Sequence, residues 1–198
     1  MSDARVILIG GSAGALDALL AILPALPAQF AIPIVVVLHL APNPASLVPE
    51  LLERATSLHV LEIEDKQPLM RATIHVAPPN YHVLLERDGT LALSIDEPVH
   101  FSRPSIDVLF ESLARSHGTG PGTVACLLTG MGKDGAAGLL ALRHAGALTM
   151  AQDEASSVIF GMPREAIEMG AADRVLPLDQ FPGALVDAVR EPELRGVR

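Results

Sequence analysis

Short, almost continuously apolar runs alternate with segments of helical spacing along this chain, and this alternation restricts the possible folds more than any other feature. Arg5–Ile9 and Ile34–Leu38 are rich in Val and Ile, as strands buried on both faces of a sheet are. Between them, Ala15–Leu26 has apolar residues at helical spacing. Such a strand–helix–strand unit forms a right-handed crossover between parallel strands.

The same alternation continues to the C-terminus with one interruption. Asp88-Gly89, a strong hairpin signal, separates the apolar runs His82–Arg87 and Thr90–Ile95. We predict further strands at Leu58–Ile63, Thr73–Ala77, Thr123–Thr129, Ala147–Ala151 and Arg174–Leu176, and helices at Ser46–Ala55, Ser105–Ser116, Ala136–Ala145, Pro163–Met169 and Leu178–Arg190. The predicted fold is a doubly wound, Rossmann-like α/β domain: a mainly parallel sheet with helices on both faces and an inserted β-hairpin. We expect one domain over residues 1–190 and a frayed tail over residues 191–198.

Charge and composition exclude several classes of protein. The 198 residues carry a formal net charge of −9, which disfavours nucleic acid as a partner. The apolar runs are shorter than the ~20 residues that cross a bilayer, so we expect no membrane insertion. The start of the chain does not read as a signal peptide. The single Cys126 lies in an apolar stretch and is expected to be a buried hydrophobe, which fits a cytoplasmic location.

Three chemically useful side chains follow predicted strands at their carboxyl ends. The first strand leads into the Gly10–Gly14 turn, which contains Ser12, and the second delivers His39. The strand that ends near Leu128 leads into a glycine-rich loop with Asp134. The carboxyl ends of parallel strands meet at one edge of the sheet, where ligands bind. A Ser/His/Asp hydrolase is therefore a hypothesis that these residues support together.

Ser12 has two interpretations. A Gly-x-Ser-x-Gly turn between a strand and a helix is typical of an exposed nucleophile, with the helix N-terminus available for an oxyanion. The alternative is a glycine-rich turn that cradles phosphate, with Ser12 as a helix N-cap. A dinucleotide fingerprint is disfavoured because Ser12 and His39 replace the glycine and the acidic residue that it requires. A phosphate-binding loop is disfavoured because Asp134 follows Lys133.

The other two residues also have structural alternatives. His39 is either a hydrogen-bonded core histidine or a site residue. Asp134 either orients the imidazole through its second ring nitrogen or caps the helix that begins near Ala136. No metal-ligand motif is present, so we expect no metal and no cofactor. Most of the remaining histidines are expected at the surface: His59, His75, His82, His100, His117 and His144.

Seven segments carry a family resemblance. They are Ile9–Gly14, the strand into His39, Val76–Pro78, Arg103–Asp107, Leu128–Gly138, Ala151–Glu154 and Gly161–Pro163. In this order and spacing, from Val6 to about Leu185, the sequence resembles the catalytic domain of the CheB family of chemotaxis protein-glutamate methylesterases.

The resemblance implies a role for each candidate residue. Ser12 would be the nucleophile, His39 the general base and then acid, and Asp134 the residue that orients His39. The vicinity of the oxyanion and substrate would include Gly11, Ala13, Met131 and Arg103. The implied reaction removes methyl groups from glutamate γ-methyl esters of chemoreceptor-like helical domains and releases methanol, and it extends to deamidation of glutamine. The alternatives are a non-catalytic signalling module of the same fold and a small-molecule carboxylesterase.

The sequence departs from the family pattern in two ways. Ala13 and Ala15 stand where the family usually has Thr and a second Gly, and Leu38 stands where Gln is common. These changes leave the three candidate catalytic residues intact. The family's N-terminal receiver domain is not recognised, since four residues precede Arg5. We therefore expect an uncovered active-site face and activity that is insensitive to small phosphodonors. Control would then come from a separate protein, such as a receiver, or from the availability of substrate.

Overall fold

Strands and helices alternate along most of the chain, as the apolar pattern predicts. The computed structural model describes residues 6–39, 47–115 and 122–195, and only the backbone for residues 190–195. The strands are β1 (Ile7–Gly11), β2 (Ile34–Leu38), β3 (His59–Glu62), β4 (Gln67–Pro68), β5 (Thr73–Val76), β6 (His82–Leu85), β7 (Thr90–Ser94), β8 (Val124–Leu127), β9 (Leu148–Gln152) and β10 (Arg174–Leu176). The helices are α1 (Ala15–Ile22), α2 (Val48–Ala55), α3 (Ile106–Arg115), α4 (Ala136–His144), α5 (Met162–Glu168) and α6 (Phe181–Arg195).

Seven of these strands form one parallel sheet in the order β10-β9-β8-β1-β2-β5-β3. Strand β1 is central, with β2 on one side and β8 on the other. The chain thus extends the sheet in opposite directions from β1, so the switch point lies between β1 and β8. The predicted doubly wound α/β fold is confirmed.

The two faces of the sheet are covered by different helices. Side chains alternate between faces along a strand, so Ile7 and Ile9 of β1 pack with α1, α2 and α6, while Leu8 packs with α3, α4 and α5. All five residues of β1 are buried. Burial on both faces explains why the central strands are continuously apolar rather than alternating.

A second, antiparallel sheet contains the predicted hairpin. Strands β6 and β7 pair across the Asp88-Gly89 region, and the two-residue strand β4 adds to the other edge of β7. The hairpin prediction is confirmed, but β4 was not predicted. Two residues are too few to show an alternation of apolar and polar side chains. Strand β4 is recognised only by its pairing with β7.

Some predicted boundaries differ from the structure. Helix α1 gives way to a 3₁₀ turn at Leu23–Ala25, where Pro24 cannot donate a backbone hydrogen bond. Helix α6 continues to Arg195, past the predicted end at Arg190. The predicted helix ends at Ser46 and Ser116 lie outside the described residues. Among the residues described, no helix is both long and apolar enough to span a membrane.

Two histidines expected at the surface are buried instead. His75 and His82 are 0% and 1% exposed, whereas His59, His100 and His144 are exposed and His117 lies outside the described residues. Nε2 of His82 lies 3.2 Å from the Glu97 carbonyl, and its Nδ1 accepts the backbone N–H of Ser105. Both ring nitrogens of His82 are thus hydrogen-bonded to partners distant in sequence, so this side chain can be buried without an unpaired polar group. Nε2 of His75 accepts the backbone N–H of Met70, whereas its Nδ1 has no partner among the described residues.

The single cysteine is buried, as predicted. Cys126 lies in β8 and is 0% exposed. Burial raises the pKa of its thiol to about 12, so the thiolate is not formed at neutral pH.

Candidate active site

Ser12 and His39 lie side by side at the carboxyl edge of the parallel sheet. Gly11 and Leu38 are register partners at the ends of β1 and β2, and each candidate residue follows one of them. The backbone N–H of His39 donates to the Gly11 carbonyl at 3.1 Å, which extends the strand pairing to this point. Neighbouring strands are about 4.8 Å apart, so the two side chains emerge within reach of each other.

His39 contacts Asp134 directly. Its Nε2 lies 2.7 Å from Oδ2 of Asp134, and the His39 side chain is 16% exposed. A histidine whose Nε2–H donates to a carboxylate keeps Nδ1 as the basic nitrogen. Nδ1 is therefore the nitrogen that remains for Ser12. Within the described residues, no hydrogen bond joins Ser12 Oγ to His39, and such contacts are often long before substrate binds.

Asp134 is 2% exposed but receives several hydrogen bonds. Besides His39, it accepts Oγ–H of Ser105 at 2.7 Å and the backbone N–H groups of Ile106 and Asp107 at 2.7 and 3.1 Å. Burial alone would raise the pKa of this carboxyl, but the hydrogen bonds from His39, Ile106, Ser105 and Asp107 together hold it below its usual value. Asp134 is thus a buried carboxylate that stays ionised at neutral pH.

The interpretation of Asp134 as the N-cap of α4 is wrong. The N-cap of α4 is Gly135, in a left-handed conformation, and no side chain caps this helix. Asp134 instead binds the backbone N–H groups at the start of α3, where the positive end of the helix dipole favours a carboxylate. The start of α3 is 28 residues away along the chain, which local sequence reasoning could not detect.

The turn that holds Ser12 is fixed by β8 and its following loop. The backbone N–H of Ser12 donates to the Thr129 carbonyl at 2.9 Å, and Oγ–H of Thr129 donates to the Ala13 carbonyl at 3.0 Å. The N-cap of α1 is Gly14 at φ 82°, with no side-chain cap, so Ser12 does not cap this helix. A Cβ on Gly130 would lie 2.8 Å from Cβ of Ser12, so the close approach of the two loops requires glycine there.

Two backbone N–H groups beside Ser12 are free to bind an anion. Among the described residues, neither the N–H of Ala13 nor that of Met131 has a hydrogen-bond partner. Ala13 follows Ser12 directly, and Met131 follows Gly130, which lies against Ser12. This arrangement suits an oxyanion. The Gly11 carbonyl accepts the backbone N–H of His39.

Arg103 lines a cavity of about 230 Å³ next to His39. Its Nη1 donates to the carbonyls of Ile95 and Asp96 at 2.8 and 3.0 Å. Its Nε is buried and has no partner among the described residues. The predicted position of Arg103 near the substrate is therefore compatible with the cavity. Its hydrogen bonds, however, go to the backbone of the loop that contains Ile95 and Asp96.

Several residues that support the site had no role assigned by the sequence. Ser105 and Asp107 lie in the segment Arg103–Asp107, which carried the resemblance, but only the packing of α3 against Asp134 shows what they do. Gln152 is completely buried, and its Oε1 accepts the backbone N–H of Thr129 at 2.8 Å. This bond fixes Thr129, which follows β8, and the carbonyl of Thr129 in turn accepts the backbone N–H of Ser12.

His100, Asp107 and Asp134 form the kind of cluster that could hold a cation, since their ligand atoms all lie within 4.8 Å of one another. Both oxygens of Asp134 are already occupied, however, by His39, Ser105 and the backbone of α3. Asp107 is likewise bonded to the backbone of Gly138 and to His100. Because these ligand atoms already take part in hydrogen bonds, we assign no metal ion to this cluster.

Known proteins resemble this chain over most of its length. A protein from Pseudomonas aeruginosa named protein-glutamate methylesterase/protein-glutamine glutaminase 2 is 43% identical over 189 residues, which cover 94% of this chain and 53% of the relative. The chain thus spans about half the length of that protein. A Leptospira interrogans protein named putative protein-glutamate methylesterase/protein-glutamine glutaminase is 42% identical over 177 residues, which cover 89% of this chain and 91% of the relative.

The fold and the family agree with these relatives. The crystal structure of the Thermotoga maritima CheB methylesterase catalytic domain superposes with a TM-score of 0.88 at 33% identity, covering 94% of this chain and 99% of that domain. The family described as CheB methylesterase matches residues 7–185. This range includes all three strand ends that carry Ser12, His39 and Asp134. The chain belongs to the CheB methylesterase family.

Proposed function

We propose that this protein hydrolyses glutamate γ-methyl esters on a chemoreceptor-like helical protein, releasing methanol and restoring the carboxylate. The observation that carries the proposal is the convergence of Ser12, His39 and Asp134. Ser12 and His39 end adjacent strands, and His39 Nε2 lies 2.7 Å from the Asp134 carboxylate. The names of the relatives from Pseudomonas and Leptospira favour the same activity.

In the first half of the proposed reaction, Nδ1 of His39 takes the proton from Ser12 Oγ, which attacks the ester carbonyl carbon. The N–H groups of Ala13 and Met131 stabilise the negative charge on the former carbonyl oxygen. When the tetrahedral intermediate collapses, the bond to the methoxy oxygen breaks. His39 returns its proton to that oxygen, and methanol leaves.

In the second half, water replaces methanol. His39 removes a proton from the water, which attacks the carbonyl carbon of the acyl-Ser12. The bond to Oγ breaks and Ser12 regains its proton from His39. The glutamic acid that forms releases its proton to solvent and leaves as a carboxylate. Asp134 stays ionised throughout and stabilises the imidazolium in each half.

The same residues can remove ammonia from glutamine. The amide follows the same acyl-enzyme route, except that His39 must protonate a poorer leaving group. This extends the proposal to the glutaminase activity in the names of the relatives.

A separate receiver protein is a further proposed partner. The proposed location is the cytoplasm, which agrees with a single unpaired cysteine.

Methanol release from a methylated chemoreceptor signalling fragment tests the proposal. We expect Ser12→Ala to lower the rate by at least about 10³-fold, because loss of the nucleophile leaves only binding and oxyanion stabilisation. Ser57→Ala is the matched control, since Ser57 is exposed and precedes β3 at the opposite edge of the sheet. Thermal unfolding of both variants checks that each is folded.

Each outcome has a distinct meaning. Unchanged methanol release in folded Ser12→Ala would eliminate Ser12 as the nucleophile. Turnover of short esters without turnover of the fragment would favour a small-molecule carboxylesterase. No turnover of either substrate by the wild-type protein would favour a binding module of the same fold.

A further inference from the structure

An exposed turn overhangs the cavity beside His39. Val99 and Ser102 exchange two backbone hydrogen bonds, of 3.1 and 2.9 Å, and enclose His100 and Phe101 between them. Both enclosed residues have positive φ, 50° and 62°. This is the arrangement of a two-residue type I′ hairpin turn, which favours Asn-Gly because residues with a Cβ are strained there. His100 and Phe101 are therefore strained in this turn.

Side-chain contacts on both sides hold this strained turn in place. Nε2 of His100 lies 3.2 Å from Oδ2 of Asp107, whose side chain is 5% exposed. Oδ1 of Asp107 accepts the backbone N–H of Gly138 in α4. On the other side of the turn, Arg103 binds the carbonyls of Ile95 and Asp96. The turn is thus anchored before and after Phe101, while Phe101 makes no contribution to the core.

Phe101 is fully exposed and lines the same cavity as His39. Two other exposed apolar side chains, Met131 and Val158, lie on loops that approach Ser12 from the other side. Val158 packs over Gly14, and Met131 follows Gly130. Three loops thus present apolar groups around the proposed nucleophile and base, and exposed apolar groups that surround a site commonly mark where a partner binds.

We propose that Phe101 is a specificity-determining residue that contacts the protein substrate next to the reacting glutamyl ester. The inference rests on the proposed function. The ring packs against an apolar side chain of the substrate helix while the ester reaches past it to Ser12 and His39. A ring held by an anchored turn contacts the substrate with little loss of conformational freedom, which gives a physical reason for keeping the strained turn.

Two variants of Phe101 separate contact from structure. Phe101→Ala removes the ring, and Phe101→Gly removes the ring and also relieves the strain at positive φ. Met169→Ala is the control, because Met169 is an exposed apolar residue at the end of α5, near the opposite edge of the sheet. Steady-state kinetics are measured with the methylated receptor fragment and with a short generic ester.

We expect both Phe101 variants to raise KM for the fragment about tenfold, with kcat changed less than about twofold. Hydrolysis of the short ester and the Met169→Ala kinetics stay unchanged. Phe101→Gly also raises the temperature of thermal unfolding while it weakens recognition, a combination that loss of a structural residue does not produce. An unchanged KM for the fragment, or an equal loss with the short ester, would overturn the proposal.

A binding measurement keeps this test separate from the test of catalysis. Calorimetric titration of the methylated fragment into Ser12→Ala, with and without Phe101→Ala, needs no turnover. A Kd about tenfold weaker in the double variant supports the contact even if the wild-type protein releases no methanol. An equal Kd, or no binding to either protein, contradicts it.

Discussion

Asp134 is hydrogen-bonded both to a helix of the fold and to a residue of the candidate site. Its two oxygens bind the His39 imidazole and the start of α3 at the same time. The sequence indicated the carboxylate but offered helix capping of α4 as an equal alternative. The structure replaces that alternative with contacts to His39 and α3, which lie 95 and 28 residues away.

We predict that Asp134→Asn lowers kcat/KM for methanol release by about 10³- to 10⁴-fold, because the neutral amide no longer stabilises the imidazolium or fixes its tautomer. It also lowers the free energy of unfolding by about 1–3 kcal/mol, since buried N–H groups lose a charged acceptor. Methanol release and urea unfolding measure the two effects.

Asp173→Asn is the matched control for that substitution. Asp173 accepts hydrogen bonds from Arg143 and from Thr149, at the start of β9 and away from Ser12. Its pKa is lowered because these bonds outweigh the effect of burial. We expect reduced stability with normal activity; a normal rate in Asp134→Asn would remove Asp134 from the proposed mechanism.

Close contact between elements, rather than a property of either element alone, positions the carboxylates. Helices α3 and α4 approach so closely that a Cβ on Gly138 would lie 2.6 Å from Cβ of Phe110 and 3.1 Å from Oδ1 of Asp107. The spacing of apolar residues predicted both helices. It could not predict their separation, which depends on the small size of Gly138.

We predict that Gly138→Ala destabilises the protein by about 1–3 kcal/mol, because the added methyl forces α3 and α4 apart. The reaction rate falls as well, since α3 holds Asp134. Gly183→Ala is the control: Gly183 is also a helical glycine, but a Cβ there would contact nothing within 4 Å. That variant is expected to be neutral or slightly more stable. Equal effects of both substitutions on unfolding and methanol release would argue against the close-packing explanation.

Two neighbouring carboxyls, Asp107 and Asp134, make the stability of the whole molecule depend on pH, because the fold shifts their pKa values in opposite directions. Burial raises the pKa of Asp107 to about 6, and the nearby charges of Asp134 and Glu111 add to this, while Gly138 and His100 act against it. The pKa of Asp134 is lowered. The stability that Asp134 contributes is present above its unfolded value of about 3.9 and is lost only as pH falls through its lower folded pKa.

Asp107 produces the opposite slope. Between about pH 4 and pH 6, folded Asp107 retains a proton that the unfolded chain has released, so its contribution to the unfolding free energy falls as pH rises. We predict that Asp107→Asn removes this slope. Its stability relative to wild type then increases by up to about 3 kcal/mol from pH 4 to pH 7, since one pKa unit corresponds to about 1.4 kcal/mol. Urea unfolding at several pH values checks this, and a constant difference would contradict the raised pKa.

The pattern of apolar residues is sufficient to predict the order of elements and the edge of the sheet where the candidate site lies. Buried parallel strands require continuous apolar runs, and parallel strands bring their carboxyl ends to one edge, so Ser12, His39 and Asp134 could be grouped before any distance was known. Four other features are seen only in the folded structure: the nitrogen of His39 that contacts Asp134, the burial of His75 and His82, the pairing of β4 with β7, and the position of Phe101 over the cavity. These features depend on contacts between residues far apart in the chain, and periodicity and turn signals describe only neighbours in sequence.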